Sequence, residues 1–296
     1  GDWQFIAQGF AETDTAVSAA QRRSKRTTEL QEAYVEWKPG AILLRVGRQP
    51  LRWSDSWTTP SLDLWTARRF NRLFYDPLSE QLVHPTGILA SWSAPSSSLE
   101  FFQNLQPAEN RLPEPLPETP REWRKEWGAR GKLRTDAGFD LGAVYFSQRE
   151  KKTYGATASY ALDSAVPKLE LGFDDSQNSF TTLATDFFFG SFSILTQVTR
   201  YRATWTNSFA DKSNYPLNYY VLIRWEESPN SIEAQAFYDG LTRGQFAAFQ
   251  YSHTFQPAVQ LSLFVQNYRG DAGTLFGLYQ TMTDGPVAGA KIAITL

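Results

Sequence analysis

Two histidines, His84 and His253, and no cysteine bound the chemistry open to this chain. Thiolate nucleophiles, disulfides and thiolate metal ligands are thereby excluded. Either histidine could serve as general base to a serine, but no G-x-S-x-G or similar nucleophile setting surrounds one. There is no H-E-x-x-H and no close spacing of histidine and carboxylate that would hold a metal. The adjacent carboxylates Asp174-Asp175 and Glu226-Glu227 fall at expected turns and loops, where solvation accounts for them. P-loop and dinucleotide fingerprints are absent, and a net charge of −2 argues against a nucleic-acid partner. The sequence therefore predicts no catalytic residue, no metal and no cofactor. What remains is charge: Arg130, Lys132 and Arg134 recur at alternate positions, the densest positive cluster on one strand. Such a row either attracts an anionic solute or pairs with acidic neighbours.

The elements that must position those charges are strands. From Glu32 to Trp37, Ala33, Val35 and Trp37 share one face, opposite Glu32, Tyr34 and Glu36. Beyond Pro39-Gly40, Ile42, Leu44 and Val46 share a face opposite Leu43, Arg45 and Gly47. Period-two alternation about a Pro-Gly turn is a hairpin with one apolar and one polar face. The rhythm continues down the chain, beginning with a first strand at Trp3 to Glu12 and a polar connection containing Arg22, Arg23, Lys25 and Arg26. It closes at Ala288 to Leu296. Tight turns are expected at Pro39, Pro95, Asp136, Asp163, Gly190, Pro229 and Pro257. Longer connections are expected at 49–85, 106–123, 202–216 and 269–285, and Leu275 to Met282 is assigned to the last of these or to an extension of a neighbouring strand.

Short turns at one end and long loops at the other describe an outer-membrane barrel of about 16 strands, with about 14 to 18 compatible. The composition agrees: mean hydropathy is −0.42, yet 15% of residues are aromatic, and transmembrane barrels combine weak apolar segments with aromatic girdles. No apolar run reaches the length of a membrane helix. The predicted fold is all-β: a transmembrane antiparallel up-and-down β-barrel, with short periplasmic turns and long extracellular loops. Trp37, Tyr160, Phe173, Tyr219, Trp225 and Tyr268 near strand ends would form the interface belts. A nearly charge-free face would meet lipid, while Glu36, Arg45, Arg130, Lys132, Arg134, Asp140, Glu170, Arg224, Glu233 and Lys291 would line a water-filled lumen too wide for side chains to fill. Both charge signs are mixed there, which predicts weak ion selectivity.

At the first long connection the residues become specific. Gly47-Arg48-Gln49, then Trp53, Asp55, Pro60, Asp63 and Phe74 to Glu80, follow a strand reading Glu-Ala-Tyr-Val-x-Trp. This order resembles Gram-negative outer-membrane porins related to the alginate-export barrels, over roughly residues 28–103. The resemblance departs at Ser54, where the family usually has glycine, and at Leu296, where many such barrels end in Phe. It implies a single barrel domain over 1–296, with residues 50–84 folded into the lumen as a constriction. Arg45, Arg48, Arg52, Asp55, Asp63, Arg68, Arg69, Arg72 and Glu80 would then form a transverse field. Trp53, Trp57, Trp65 and Tyr75 would either offer stacking surfaces or pack the loop on the wall.

The expected function is passive diffusion of small hydrophilic or charged solutes through a bacterial outer-membrane channel. No basic, apolar leader opens the chain, so a mature form with its signal peptide removed is expected. The expected partners are outer-membrane lipid, lipopolysaccharide and the solute. The sequence also admits an exporter of an anionic polysaccharide, an outer-membrane hydrolase using His84 or His253, and a plugged barrel.

Overall fold

A computed structural model describes residues 2–19, 22–54, 62, 65, 67–68, 82–106, 126–148, 151–175, 178–202, 217–240, 242–256 and 259–295. The elements in chain order are β1 (Asp2–Val17), β2 (Arg22–Lys38), β3 (Ile42–Arg48), β4 (Ala67–Arg68), β5 (Leu82–Val83), β6 (Thr86–Ala94), β7 (Ser97–Gln106), β8 (Glu126–Arg134) and β9 (Phe139–Gln148). There follow β10 (Lys151–Tyr160), β11 (Ala165–Asp174), β12 (Ser179–Phe189), β13 (Phe192–Arg202), β14 (Leu217–Glu227), β15 (Asn230–Asp239), β16 (Gly244–Gln256), β17 (Val259–Arg269), α1 (Leu275–Thr283) and β18 (Val287–Thr295). Among the described residues, sixteen strands form a closed barrel in the order β1-β18-β17-β16-β15-β14-β13-β12-β11-β10-β9-β8-β7-β6-β3-β2, and β4 and β5 pair separately. Contacts group the chain into two units: residues 1–8, 30–70 and 81–183, and residues 9–29, 71–80 and 184–296.

In the first unit the pairing register aligns like with like. One row runs Trp37, Leu44, Ala90, Phe101, Ala129, Tyr145, Tyr154 and Phe173 across β2, β3 and β6 to β11. It contains no charge, and its members include side chains left open to the exterior, such as Phe101 and Phe173. We call this the outer face. Rings meet along it: Phe101 stacks on Trp127 at 5.8 Å, Trp127 meets Tyr145 at 5.1 Å, and Tyr154 lies 5.3 Å from both Tyr145 and Phe173. The neighbouring row, one residue along each strand, is the inner face: Glu36, Arg45, Leu89, Phe102, Gly128, Phe146, Thr153 and Asp174. Because side chains alternate strictly, a slip of one residue would exchange the two rows wholesale.

The second unit repeats the pattern. Phe192, Trp225, Ile232, Tyr251, Leu263, Ala290 and Thr15 form an outer row. Beside it lies the inner row Ser193, Arg224, Glu233, Gln250, Phe264, Gly289 and Ala16. Turns fall where the glycines and prolines place them; Gly190, at φ +59°, closes β12 onto β13 in a conformation that costs other residues dearly. The turn expected at Pro257 lies outside the described residues.

Three expectations are corrected. Arg22 to Lys38 is one continuous strand, so the polar stretch read as a connection is strand too; a ladder of backbone hydrogen bonds needs no apolar face to persist. At the end with the long connections, those at 149–150, 175–178 and 240–243 are short. Leu275 to Thr283 is an α-helix, not part of a strand. Thr274 caps it, its hydroxyl accepting from Gly277 N at 3.0 Å. Tyr279 and Phe276 stack over Tyr268 at 5.0 and 6.2 Å, on the inner face of β16 and β17. The signal was present: Leu275, Leu278, Tyr279 and Met282 recur at helical spacing.

The assignment of faces can be tested by charge. Leu171, opposite Ala156 in the outer face, should on replacement by Arg cost about 2–4 kcal/mol of folding into lipid vesicles. Ser159→Arg, on the inner face opposite Lys168 and Asp140, should cost less than about 1 kcal/mol in the same urea titration.

Candidate functional site

The site is the inner wall of β6 to β11 and the chain segment laid on it. Its entry is set by Gly47-Arg48-Gln49. Gly47 sits at φ +133°, and a Cβ there would strike Ala33 O and the Tyr34 backbone, so only glycine lets β3 lie against β2 at that point. Arg48 Nη1 donates to Leu30 O at 3.2 Å. Gln49, fully buried, donates its side-chain amide to Gly87 O at 3.1 Å, and its backbone N–H reaches Pro85 O at 3.2 Å. The motif thus ties the start of the connection across β3 and β6, turning the chain off the sheet.

Beyond it, Leu51, Trp53, Leu62 and Trp65 pack onto Leu89, Phe102, Val144 and Phe146. Trp53 and Trp65 are fully buried and meet edge to face at 6.1 Å, each about 5 Å from Phe146 (5.1 and 5.3 Å). Edge-to-face contact is the arrangement their quadrupoles favour. The wall is shaped to receive them. A Cβ on Gly128 would meet both indoles, and one on Gly155 would meet Leu62. Glycine at these inner positions lets the indoles and Leu62 approach the backbone itself.

A buried carboxylate completes the attachment. Glu170, on β11, is 3% exposed and accepts from Ser54 Oγ at 2.9 and 2.8 Å and from Leu62 N at 3.2 Å. Ser54 supplies a hydroxyl that donates to this carboxylate. Arg130, also buried, donates to Arg52 O at 3.1 Å and lies 4.0 Å from Glu100. Arg52 in turn donates to Ser54 O at 3.3 Å and stays exposed. Charged side chains of the wall therefore bind the backbone and hydroxyl of the segment, and apolar ones bind its rings.

The sequence-predicted residues divide accordingly. Arg45 pairs with Glu36 at 2.6 Å on the inner face, its guanidinium over the Tyr34 ring at 5.0 Å. Arg48 and Arg52 hold the segment as described. Arg68 lies on β4, while Asp55, Asp63, Arg69, Arg72 and Glu80, with Trp57 and Tyr75, fall outside the described residues. Arg134 makes a forked pair with Asp140 at 2.6 and 2.9 Å, and Lys132 lies opposite Gly142 and Ser98. In the second unit Arg224 pairs with Glu233 at 2.9 Å. His84 lies 4.0 Å from Glu32. His253 is on the outer face, in register with Leu261 and bonded to Asn230 Oδ1 at 2.9 Å. Sequence reading placed Glu170 on the lumen side but missed its role as anchor, and missed Gly128 and Gly155 entirely.

Comparison with known proteins returns structures only: no family model and no curated protein matches the chain. The structural neighbours are outer-membrane porins of Pseudomonas and Acinetobacter. OccK5 (OpdH) of Pseudomonas aeruginosa superposes with a TM-score of 0.64 at 8% identity, covering 100% of this chain and 97% of that one. OccAB4 of Acinetobacter baumannii gives 0.63 at 7% identity, over 100% and 98%. OccK2 (OpdF) of Pseudomonas aeruginosa, solved in complex with glucuronate, gives 0.62 at 8%, over 100% and 97%. The chain has the barrel fold of these porins. These neighbours leave the alginate-export signature aside.

Trp53→Ala should destabilise the folded barrel by about 3–5 kcal/mol, the cost of emptying a large aromatic site. Glu170→Ala strands the Ser54 hydroxyl and the Leu62 N–H and should cost about 1–3 kcal/mol. Both are read by denaturant titration of tryptophan fluorescence in vesicles, with Arg134→Ala, an exposed pair, shifting the midpoint least.

Proposed function

We propose that this chain is a bacterial outer-membrane channel through which small hydrophilic or charged solutes diffuse, with no chemistry performed on them. One observation carries the reading: among the described residues, a closed sixteen-strand barrel whose outer face leaves its apolar side chains uncovered and whose inner face carries paired charges. A soluble protein would bury that apolar face against a second layer, whereas lipid requires it bare. A barrel of this strand number is too wide to be filled by its own side chains and encloses water. Residues 50–84 act as the constriction, attached to the wall through Trp53, Trp65 and the Ser54–Glu170 contact. Size exclusion is then set by how far this segment stands off the wall, and the field by the charges it carries.

Three inner-face cations are paired: Arg45 with Glu36, Arg134 with Asp140, Arg224 with Glu233. Pairing favours weak selectivity and speaks against a continuous basic track for exporting an anionic polysaccharide, the finer function that the alginate-type signature suggests. A neighbour of the same fold holds glucuronate, which makes a uronate a sensible first solute. The hydrolase reading is disfavoured by His253, which sits on the outer face opposite Leu261 and bonded to Asn230.

The test is conductance of the purified protein in a planar bilayer under a salt gradient. Discrete steps with a small reversal potential are expected, and deletion of residues 50–84 should enlarge them. Protein that is folded but gives no steps would overturn the channel, and strong anion selectivity would move the assignment to the polysaccharide exporter. Replacing His84 and His253 together should leave conductance unchanged; loss of an ester- or peptide-cleaving activity would instead reveal an enzyme.

A further inference from the structure

The outer face of β14 to β17 is indented. At the end with the long connections it carries a cleft of about 450 Å³, walled mainly by outward side chains. Its floor is a register row of Val221, Ala236, Ala247 and Asn267, in which the two alanines lie directly opposite each other. One step nearer the strand ends, the next outward row is Tyr219, Tyr238, Gln245 and Arg269. Tyr219 and Tyr238 stand 6.2 Å apart as one wall, and the exposed Arg269 closes the other side. Small residues opposite each other, between the tyrosine pair and Arg269, make a furrow along the strands, apolar over Ala236 and Ala247 and cationic at its mouth. Arg243, exposed in the turn between β15 and β16, adds a second cation at the same end.

We infer that this cleft is a seat for one phosphorylated glycolipid of the membrane's outer leaflet, an acyl chain lying over Ala236 and Ala247 and a headgroup phosphate meeting Arg269. The inference rests on the membrane-barrel reading above and specifies a lipid for it. The chemistry fits at both ends. An acyl chain gains from covering apolar surface in a furrow its own width, without the broad patch that a protein partner requires. Tyrosines belong at the interface level, where headgroups begin. Arginine presents a planar fork that binds phosphate oxygens two at a time, so a phosphorylated headgroup is held more firmly than a zwitterionic one. Arg269 makes no ion pair among the described residues, and its charge is left for a ligand.

The experiment is native mass spectrometry of the detergent-purified full chain, washed free of lipid and then titrated with hexa-acylated, bis-phosphorylated lipopolysaccharide anchor. A dephosphorylated form of the same lipid is titrated in parallel. One retained molecule per chain is expected. Ala236→Trp with Ala247→Trp, which fills the furrow, and Arg269→Glu should each weaken retention by about tenfold or more. The dephosphorylated lipid should bind the unaltered chain as weakly as the phosphorylated lipid binds the Arg269 variant. Single-channel conductance of every variant should stay at the unaltered value, because these residues face away from the lumen; that confirms folding and keeps the test separate from the channel itself. Equal retention by all variants, or none by the unaltered chain while it still conducts, would overturn the inference. So would a dimer that the furrow-filling variant abolishes, since the occupant would then be a second copy. Failure of the unaltered chain to insert into membranes at all would sink the membrane reading on which it rests.

Discussion

Every backbone N–H and C=O of a sheet must find a partner, and a sheet with edges leaves two rows unpaired. In an apolar slab those rows have no water to turn to, so the only strand solution is a ring. That constraint organises this molecule. It explains why strands as unlike as the polar β2 and the apolar β3 pair in register. It also explains why β1 and β18, nearly three hundred residues apart in sequence, hydrogen-bond from Phe10–Thr295 to Val17–Ala288. Once the ring is closed, alternation needs no second layer to make sense: each strand offers one face to each medium.

Closure creates a second problem on the inside. A wide ring leaves inner-wall apolar groups such as Leu89, Phe102 and Phe146 facing water, and the chain covers them with its own connection. Trp53, Leu62 and Trp65 take up that surface; Gly128 lets the two indoles reach it and Gly155 makes room for Leu62. Dispersion contacts favour the attachment without fixing where the segment lies, since a ring can slide on an apolar wall. The position is fixed by directional bonds from Ser54 and Leu62 to Glu170, and from Arg130 to Arg52 O. A carboxylate so deeply buried is stable only while it keeps its donors. The second unit solves the same problem with a helix, laying Phe276 and Tyr279 over Phe246 and Tyr268. Two different devices, one irregular and one helical, thus serve a single physical need.

The charges of the inner face are compatible with this economy. Cation and anion sit opposite or diagonal on neighbouring strands, as Arg224 and Glu233 do at 2.9 Å. Such pairs add little to stability where water reaches them. They keep the wall polar without giving it one sign.

Much of this could be read from the amino-acid sequence, because it is local. Side-chain alternation has a period of two residues, so the apolar row through Val35, Ile42 and Val46 and the charged row through Arg130, Lys132 and Arg134 were visible without coordinates. Glycine and proline at Gly40, Gly190 and Pro229 marked turns for reasons contained in the turns themselves, and the sixteen strands followed. Where periodicity competed, it misled: in Leu275 to Met282 a helical spacing was passed over in a chain otherwise made of strands, and contact with Tyr268 decides it. The tertiary structure alone decided which residues hold the inserted segment. Glu170 lies 116 residues from Ser54, and Gly128 gains its meaning only when two tryptophans from another part of the chain come to rest on it. No local pattern marks a glycine as a shelf or a carboxylate as an anchor, because those roles belong to the partner that folding brings to it.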